Sequence, residues 1–405
     1  MKLQVGFKMK WTLLFAVLFF TSSLFSEDSK EKWFTDWPYE PFQIDKFTIN
    51  GSLSYRYVFK DYGEKDTRAG DVDFDRFALT LGWSDGPLTA SATYSFYRFE
   101  DYATWVTFLK EAWIDYQFND NSSIRAGVTL VPFGITKFAT HSWWESPGYY
   151  LGLEEDYDLG AVYTWKNESW KFDFAYFLRD EGTWLSNGRS DHSSRYSADV
   201  VPEGTSGNKE RNQFNFRSTY TVHHDEDKSS DFIFSLQYGL IPNNDTGDTG
   251  DHYALGLAYH GKLKPWEIKL SWIHYNYNLK NPDGQSKNVV QFGYFDTFPY
   301  NAAKQGDLFI ASVSRKFEVN WGPISSVTPY TEFSYLKKHK NSWPDSQQFS
   351  VGAIWAIGKW SLYSEVYWLK EHPDLGEGTF PNGFASGSGN SAWHTFVLFT
   401  LAYYF

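Results

Sequence analysis

From Lys46 onward the chain alternates apolar and polar residues with a period of two. Phe47, Ile49, Leu53, Tyr55, Tyr57 and Phe59 fall on one side, and Thr48, Asn50, Ser52, Ser54 and Arg56 on the other. Such alternation sends successive side chains to opposite faces of an extended strand, here one suited to lipid and one to water. The pattern returns over 77–83, 88–96, 112–118, 124–130, 170–176, 214–222, 232–238, 253–259, 266–272, 349–357 and 360–368. With its flanks, each stretch supplies the roughly nine to eleven residues a tilted strand needs to cross a hydrocarbon layer.

The connections alternate in length. Short polar turns at 84–87, 119–122, 166–169 and 358–359 are separated by long segments at 61–71, 136–158, 179–211, 279–307 and 370–391. Short periplasmic turns and long external loops are the asymmetry of outer-membrane barrels. With the first strand starting in the periplasm, about eight hairpins fit. The expectation is an all-β protein: a transmembrane antiparallel β-barrel of about sixteen strands over 46–405.

Composition sharpens this picture. Aromatic residues make up 20% of the chain, yet its mean hydropathy is only -0.49. A barrel in lipid produces that pairing, because only every second position is apolar and aromatic girdles flank the apolar band. The absence of cysteine excludes disulfide scaffolds, thiol catalysis and cysteine-ligated metals. Lys2, Lys8 and Lys10 precede the apolar run 11–20, and Thr21, Ser22, Ser23 and Ser26 follow it. Residues 1–26 therefore read as a secretory signal peptide, the run being short for a membrane anchor helix. Residues 27–45 read as a periplasmic lead-in, with Trp33, Trp37 and Pro38 placed to tuck into the barrel mouth.

No later stretch is long and apolar enough for a spanning helix, which leaves a closed barrel as the route through a membrane. The chain ends on Val397, Phe399, Leu401, Tyr403 and Phe405. That ending resembles the terminal signal recognised by the barrel-assembly machinery, beside the simpler reading of a last strand that ends apolar. The expected location is the bacterial outer membrane, reached through the secretory pathway, with lipid and lipopolysaccharide as surroundings.

The segment 110–138, KEAWIDYQFNDNSSIRAGVTLVPFGITKF, resembles the phosphate-selective porin family. The resemblance is carried by the strand 112–118, the turn 119–122, Arg125, Gly127 and the run Pro132, Phe133, Gly134. It implies a sixteen-stranded homotrimeric porin whose third loop folds inward, with anion selectivity in some members. The chain departs from the family at Val128, Leu130 and Val131, where polar residues are expected, and in its net charge of -12. Phosphate is therefore not carried over as the solute.

The residues support an inserted loop on their own terms. Pro132 removes a ladder donor and Gly134 relaxes the backbone, so the strand should end there. The loop that follows carries Trp143, Trp144, Tyr149 and Tyr150 beside His141, Glu145, Glu154 and Glu155. Such aromatics are expected inside the pore; the alternative places them on the rim or against a neighbouring subunit.

Other chemical patterns point to solvated segments. His141-Ser142 and His192-Ser193-Ser194 put imidazole beside hydroxyl, but adjacency does not create a nucleophile and base in contact. Asp245, Asp248 and Asp251 lack the spacing of a calcium loop. His223 and His224 fall in a charged turn. Asp71, Asp73 and Asp75 share the parity of lipid-facing Phe77 and should lie above the hydrocarbon, within reach of cations bridging lipopolysaccharide. Arg98 and Arg315 also fall on the lipid parity, which suits only the interfacial edges. No enzyme, metal site, cofactor or nucleic-acid partner is expected.

The leading function is passive diffusion of small hydrophilic solutes or ions; the alternative is a structural or adhesive surface barrel plugged by its loops. Parity turns Arg56, Arg76, Arg125, Lys171, Arg217 and Lys269 into the lumen, with Glu111, Asp115, Asp173, Glu267, Glu332 and Glu365 facing the same space. The expected constriction sets Arg56, Arg76 and Arg125 against Glu145, Glu154 and Glu155. Weak anion preference or little selectivity would follow.

Overall fold

Lipid offers no water to unpaired backbone groups, so a sheet that crosses a membrane must close on itself. The computed structural model describes residues 42–63, 68–99, 102–182, 195–202, 207–295 and 298–405. The signal segment, most of the lead-in and the 192–194 motif lie outside them. Strand β1 (Phe42–Ile44) folds back on the foot of β2 (Phe47–Lys60). The wall continues through β3 (Asp71–Asp85), β4 (Leu88–Phe99), β5 (Tyr102–Asn119), β6 (Ser122–Leu130), β7 (Tyr157–Lys166) and β8 (Trp170–Asp180). After the short loop strand β9 (Asp199–Val200) come β10 (Arg211–Asp225), β11 (Lys228–Pro242), β12 (Thr249–Leu263) and β13 (Trp266–Asn278). Two further loop strands, β14 (Val289–Tyr294) and β15 (Phe298–Ala303), precede β16 (Gln305–Arg315), which β17 (Phe317–Trp321) extends. β18 (Ile324–Lys338), β19 (Ser346–Ile357), β20 (Trp360–Lys370) and β21 (His394–Tyr404) complete it.

Each wall strand pairs antiparallel with its neighbours, and β21 pairs with β2 from Ser52↔Tyr404 to Lys60↔Phe396, closing a sixteen-stranded barrel among the described residues. The seam is sealed at its foot. Gly51 and Phe405 exchange backbone hydrogen bonds of 2.9 and 3.1 Å. The Phe405 ring covers Gly51, where a Cβ would come within 2.6 Å of it, and stacks on Phe77 at 6.4 Å. Phe405→Ala should lower the heat-modifiable, assembled fraction in a gel-shift measurement. A half-buried ring costs on the order of 2 kcal/mol to remove, less than a fully buried phenylalanine. Unchanged assembly would take the terminal ring out of barrel closure.

The period-two pattern sets the two faces. On β11, Phe232, Phe234, Leu236 and Tyr238 point outward, whereas Ile233, Ser235 and Gln237 are buried inside. Aromatics gather at the strand ends: Trp165, Phe172, Trp170 and Tyr220 form a chain with centroids 5.8, 5.4 and 4.7 Å apart near the short turns. Arg315 lies at this same end, its guanidinium 5.1 Å from Trp266 and 4.6 Å from Phe317. At the other end Arg98 pairs with Asp73 at 3.4 Å. Asp75 corrects the parity reading. A β-bulge opposite Ser54 and Tyr55 turns it inward, where it is buried and bonds Arg56 at 3.2 Å and Ser54 at 2.7 Å.

The short turns sit at one end and the eight connections L1 to L8 at the other, most of them longer (L5, for example, spans 243–248) though the second is only two residues; by the barrel rule these are external. L3 (131–156), L8 (371–393) and the described residues of L4 (181–210) and L6 (279–304) fold into the mouth rather than outward. Tyr149 and Tyr150 of L3, Tyr196 of L4, Phe292 and Tyr300 of L6 and Phe384 of L8 share one buried cluster with Phe108 and Tyr277 of the wall.

Candidate functional site: the loop-lined constriction

The site starts at the end of β6. Its last residue is Leu130, two before Pro132. Within the strand, Gly127 has φ 132°, and a Cβ there would sit 2.2 Å from the Ala112 carbonyl oxygen, so only glycine fits this close approach. Beyond it the buried Phe133 reaches across to Gly256 of β12, where a Cβ would meet the ring at 3.1 Å. Gly134, at φ 56°, donates its N–H to Ser235 at 3.0 Å and accepts Arg217 Nε at 2.9 Å. The Pro-Phe-Gly run thus turns the chain off the wall and pins it to β10, β11 and β12.

From there L3 runs around the inside of the barrel. Buried loop backbone must find partners, and lumen side chains of successive strands supply them. Lys269 of β13 donates to the Thr140 carbonyl at 2.8 Å. Glu332 of β18 accepts the N–H groups of His141 and, at 3.0 Å, Ser142. Glu365 of β20 accepts Trp143 N–H at 2.7 Å, and the Tyr367 hydroxyl accepts Trp144 N–H at 3.3 Å. Along this path the Arg76 guanidinium of β3 lies 4.1 Å over the Trp143 ring. Charge-assisted bonds to carboxylates are the stronger kind, and L3 uses them where it hugs the wall.

His141 serves this anchoring. Its ring nitrogens meet Ser312 at 2.5 Å, Ser314 at 3.1 Å and Glu267 at 3.3 Å. Ser142 turns its hydroxyl to the Trp144 carbonyl at 2.9 Å, so the adjacent histidine and serine do not face each other.

What L3 leaves open is a cavity of about 580 Å³ at the external mouth, bounded by L3, L6, L8 and the β2–β3 wall. Arg56, Lys60 and Arg76 line it together with Asp75, Glu145 and Asp374. Arg56 is held by Asp75, and Arg76 is braced by Trp143 and, at 3.4 Å, by Tyr97. Aromatic rings and paired charges therefore share this cavity.

The remaining residues singled out in the sequence are distributed differently. Arg125 is absent from this cavity; it pairs with Asp115 at 3.2 Å and lies 3.8 Å over Trp113, three residues from a short turn. Lys171 pairs with Asp173 at 3.4 Å, one residue into β8, also near the turn end. Arg217 and Lys269 are inside the barrel but spent on holding L3. Glu111 bonds Thr93 and Trp113, each at 3.2 Å. Glu154 faces its own loop, accepting Ala139 N–H at 2.5 Å and the Ser146 hydroxyl. Glu155 bonds Lys110 at 2.8 Å and Tyr196 at 2.5 Å. Of the six residues of the expected constriction, Arg56, Arg76 and Glu145 come together and Arg125, Glu154 and Glu155 do not.

Lys60 was legible, since it shares the inward parity of Arg56. Lys110 was not, because it is itself the extra residue of a bulge on β5, opposite Thr93 and Tyr94, which shifts the register there. Asp374 arrives from L8 with no local signal.

No family model and no curated protein matches the chain. Solved structures do. The outer-membrane channel DcaP of Acinetobacter baumannii superposes with a TM-score of 0.55 at 12% identity, covering 89% of this chain and 97% of that one. OprB of Pseudomonas putida gives 0.55 at 7%, covering 89% and 94%. In-vitro folded OmpT of Vibrio cholerae, in its trimer form, gives 0.53 at 11%, covering 89% and 100%. At these identities the likeness is one of architecture: the chain shares the closed antiparallel barrel of outer-membrane channels.

Proposed function

We propose that the protein is an outer-membrane porin that lets small hydrophilic solutes or ions diffuse passively, with weak anion preference or little selectivity. The observation that carries this reading is the cavity beside the middle of the inward-folded L3, where Arg56, Lys60, Arg76 and Glu145 meet in a closed barrel. A plug needs no such charged lining; a filter for hydrated solutes does. Low-dielectric walls focus the field of these charges on whatever passes. The resemblance to phosphate-selective porins enters only as a shared way of turning L3 inward at Pro132, Phe133 and Gly134. A homotrimer is proposed on the same resemblance, and one structural neighbour is described as a trimer. Lipopolysaccharide contact and delivery by the barrel-assembly machinery belong to the same proposal.

Purified, refolded protein in a planar lipid bilayer should give repeated open-channel steps. A folded barrel that inserts without any step would overturn the porin reading. It would favour the second one, a loop-plugged surface barrel, to which the shared buried cluster of L3, L4, L6 and L8 lends weight.

A further inference from the structure

Where L3 returns to the wall, three aspartates converge from three parts of the chain. Asp156 closes L3, its carbonyl accepting Val131 N–H at 2.8 Å. Asp158 lies one residue into β7. Asp199 sits on β9 in L4, paired through Gly293 to β14 of L6. One carboxylate oxygen of each lies within 4.8 Å of the others. They are 5, 2 and 1% exposed, and each keeps a buried carboxylate oxygen with no hydrogen-bond partner.

The surroundings deepen the charge imbalance. Asp180, Glu181 and Glu210 are buried beside them, and Glu181 also keeps an oxygen without a hydrogen-bond partner. Arg195 lies 3.8 Å from Asp199, and Arg211 lies 3.6 Å from Asp180. Gathering the Asp156, Asp158 and Asp199 carboxylates away from water is a costly burial, since like charges in the interior are strongly disfavoured.

We propose that Asp156, Asp158 and Asp199 form a divalent-cation site, for a hard ion of the calcium type, that ties the root of L3 to L4 and L6. Calcium takes oxygen ligands at about 2.3–2.6 Å, so two ligands on opposite sides of one ion lie roughly 4.6–5.2 Å apart, a span that accommodates these oxygens. Magnesium retains several waters and is less suited to a dry cage of carboxylates. The bound ion offsets the excess negative charge and links the constriction loop to its two neighbours.

The test uses the full chain refolded in detergent, stripped with a chelator and titrated with calcium chloride alone. Equilibrium dialysis should show one calcium per chain, with affinity in the range of about 0.1–1 mM typical of extracellular modules. The temperature at which the compact form converts on a gel should rise with calcium in the wild type. An Asp156→Asn, Asp199→Asn double variant should lose both responses, yet in chelator be at least as heat-resistant as the wild type, because it removes buried like charges. A compact wild type that binds no calcium at 10 mM overturns the proposal. So does binding that survives in this variant and disappears in Asp245→Asn, Asp248→Asn, which would assign the ion to the exposed turn 243–248 between β11 and β12.

Discussion

Replacing Glu332 and Glu365 together with alanine should turn a steady open channel into one that closes repeatedly, with open dwell times at least about tenfold shorter. These two carboxylates accept three consecutive L3 backbone donors, from His141, Ser142 and Trp143. Both are buried in the wall, so the orphaned N–H groups have no ready substitute. An unsatisfied buried donor costs about 1–3 kcal/mol, and 1.4 kcal/mol is already tenfold in an equilibrium. The loop segment carrying Trp143 and Trp144 then leaves the wall and samples the lumen. The Glu332→Gln, Glu365→Gln variant retains acceptor oxygens and should fall between the two. Single-channel recording decides it: dwell times unchanged in the alanine variant, with barrel assembly intact, would show that L3 is held elsewhere.

The second large effect concerns charge. Arg56→Ala, Arg76→Ala should move the zero-current potential across a KCl gradient toward cation preference, while Arg125→Ala should leave it nearly unchanged. Arg56 and Arg76 line the cavity beside Glu145, and Arg125 does not. Coulomb's law gives about 1 kcal/mol between unit charges 4 Å apart even in bulk water, or roughly fivefold in ion occupancy. Salt screens over about 10 Å at 0.1 M, so charges that line the cavity still act, whereas Arg125 lies outside it, three residues from a short turn. A larger shift from Arg125→Ala than from the double variant would place the selective region near the periplasmic turns instead.

Removing Arg76 also removes the brace under Trp143, so conductance and potential must be read together. Arg76→Lys keeps the charge but loses the planar stacking contact. A potential preserved with altered dwell times in that variant would separate field from loop support.

Sequence periodicity determined the wall. Strands, short turns, closure in lipid and the inward parity of Arg56, Arg76, Glu332 and Glu365 all follow from a two-residue repeat, because the pleat leaves each side chain only two directions. Pro132 and Gly134 likewise announced where β6 stops, since ring closure and a left-handed φ are local constraints. What the repeat could not reach were the places where the ladder slips. One extra residue at a bulge moved Asp75 from lipid to lumen, where it meets Arg56 at 3.2 Å. Nor could it reach contacts between segments far apart in the chain. Which wall groups L3 would meet, and that Glu154 would bond inside its own loop while Glu145 lined the cavity, depended on the path of 26 loop residues across the barrel. The carboxylates of Asp156, Asp158 and Asp199 converge for the same reason: local alternation sets the face a residue occupies, but only closure of the barrel and folding of its loops set what stands opposite.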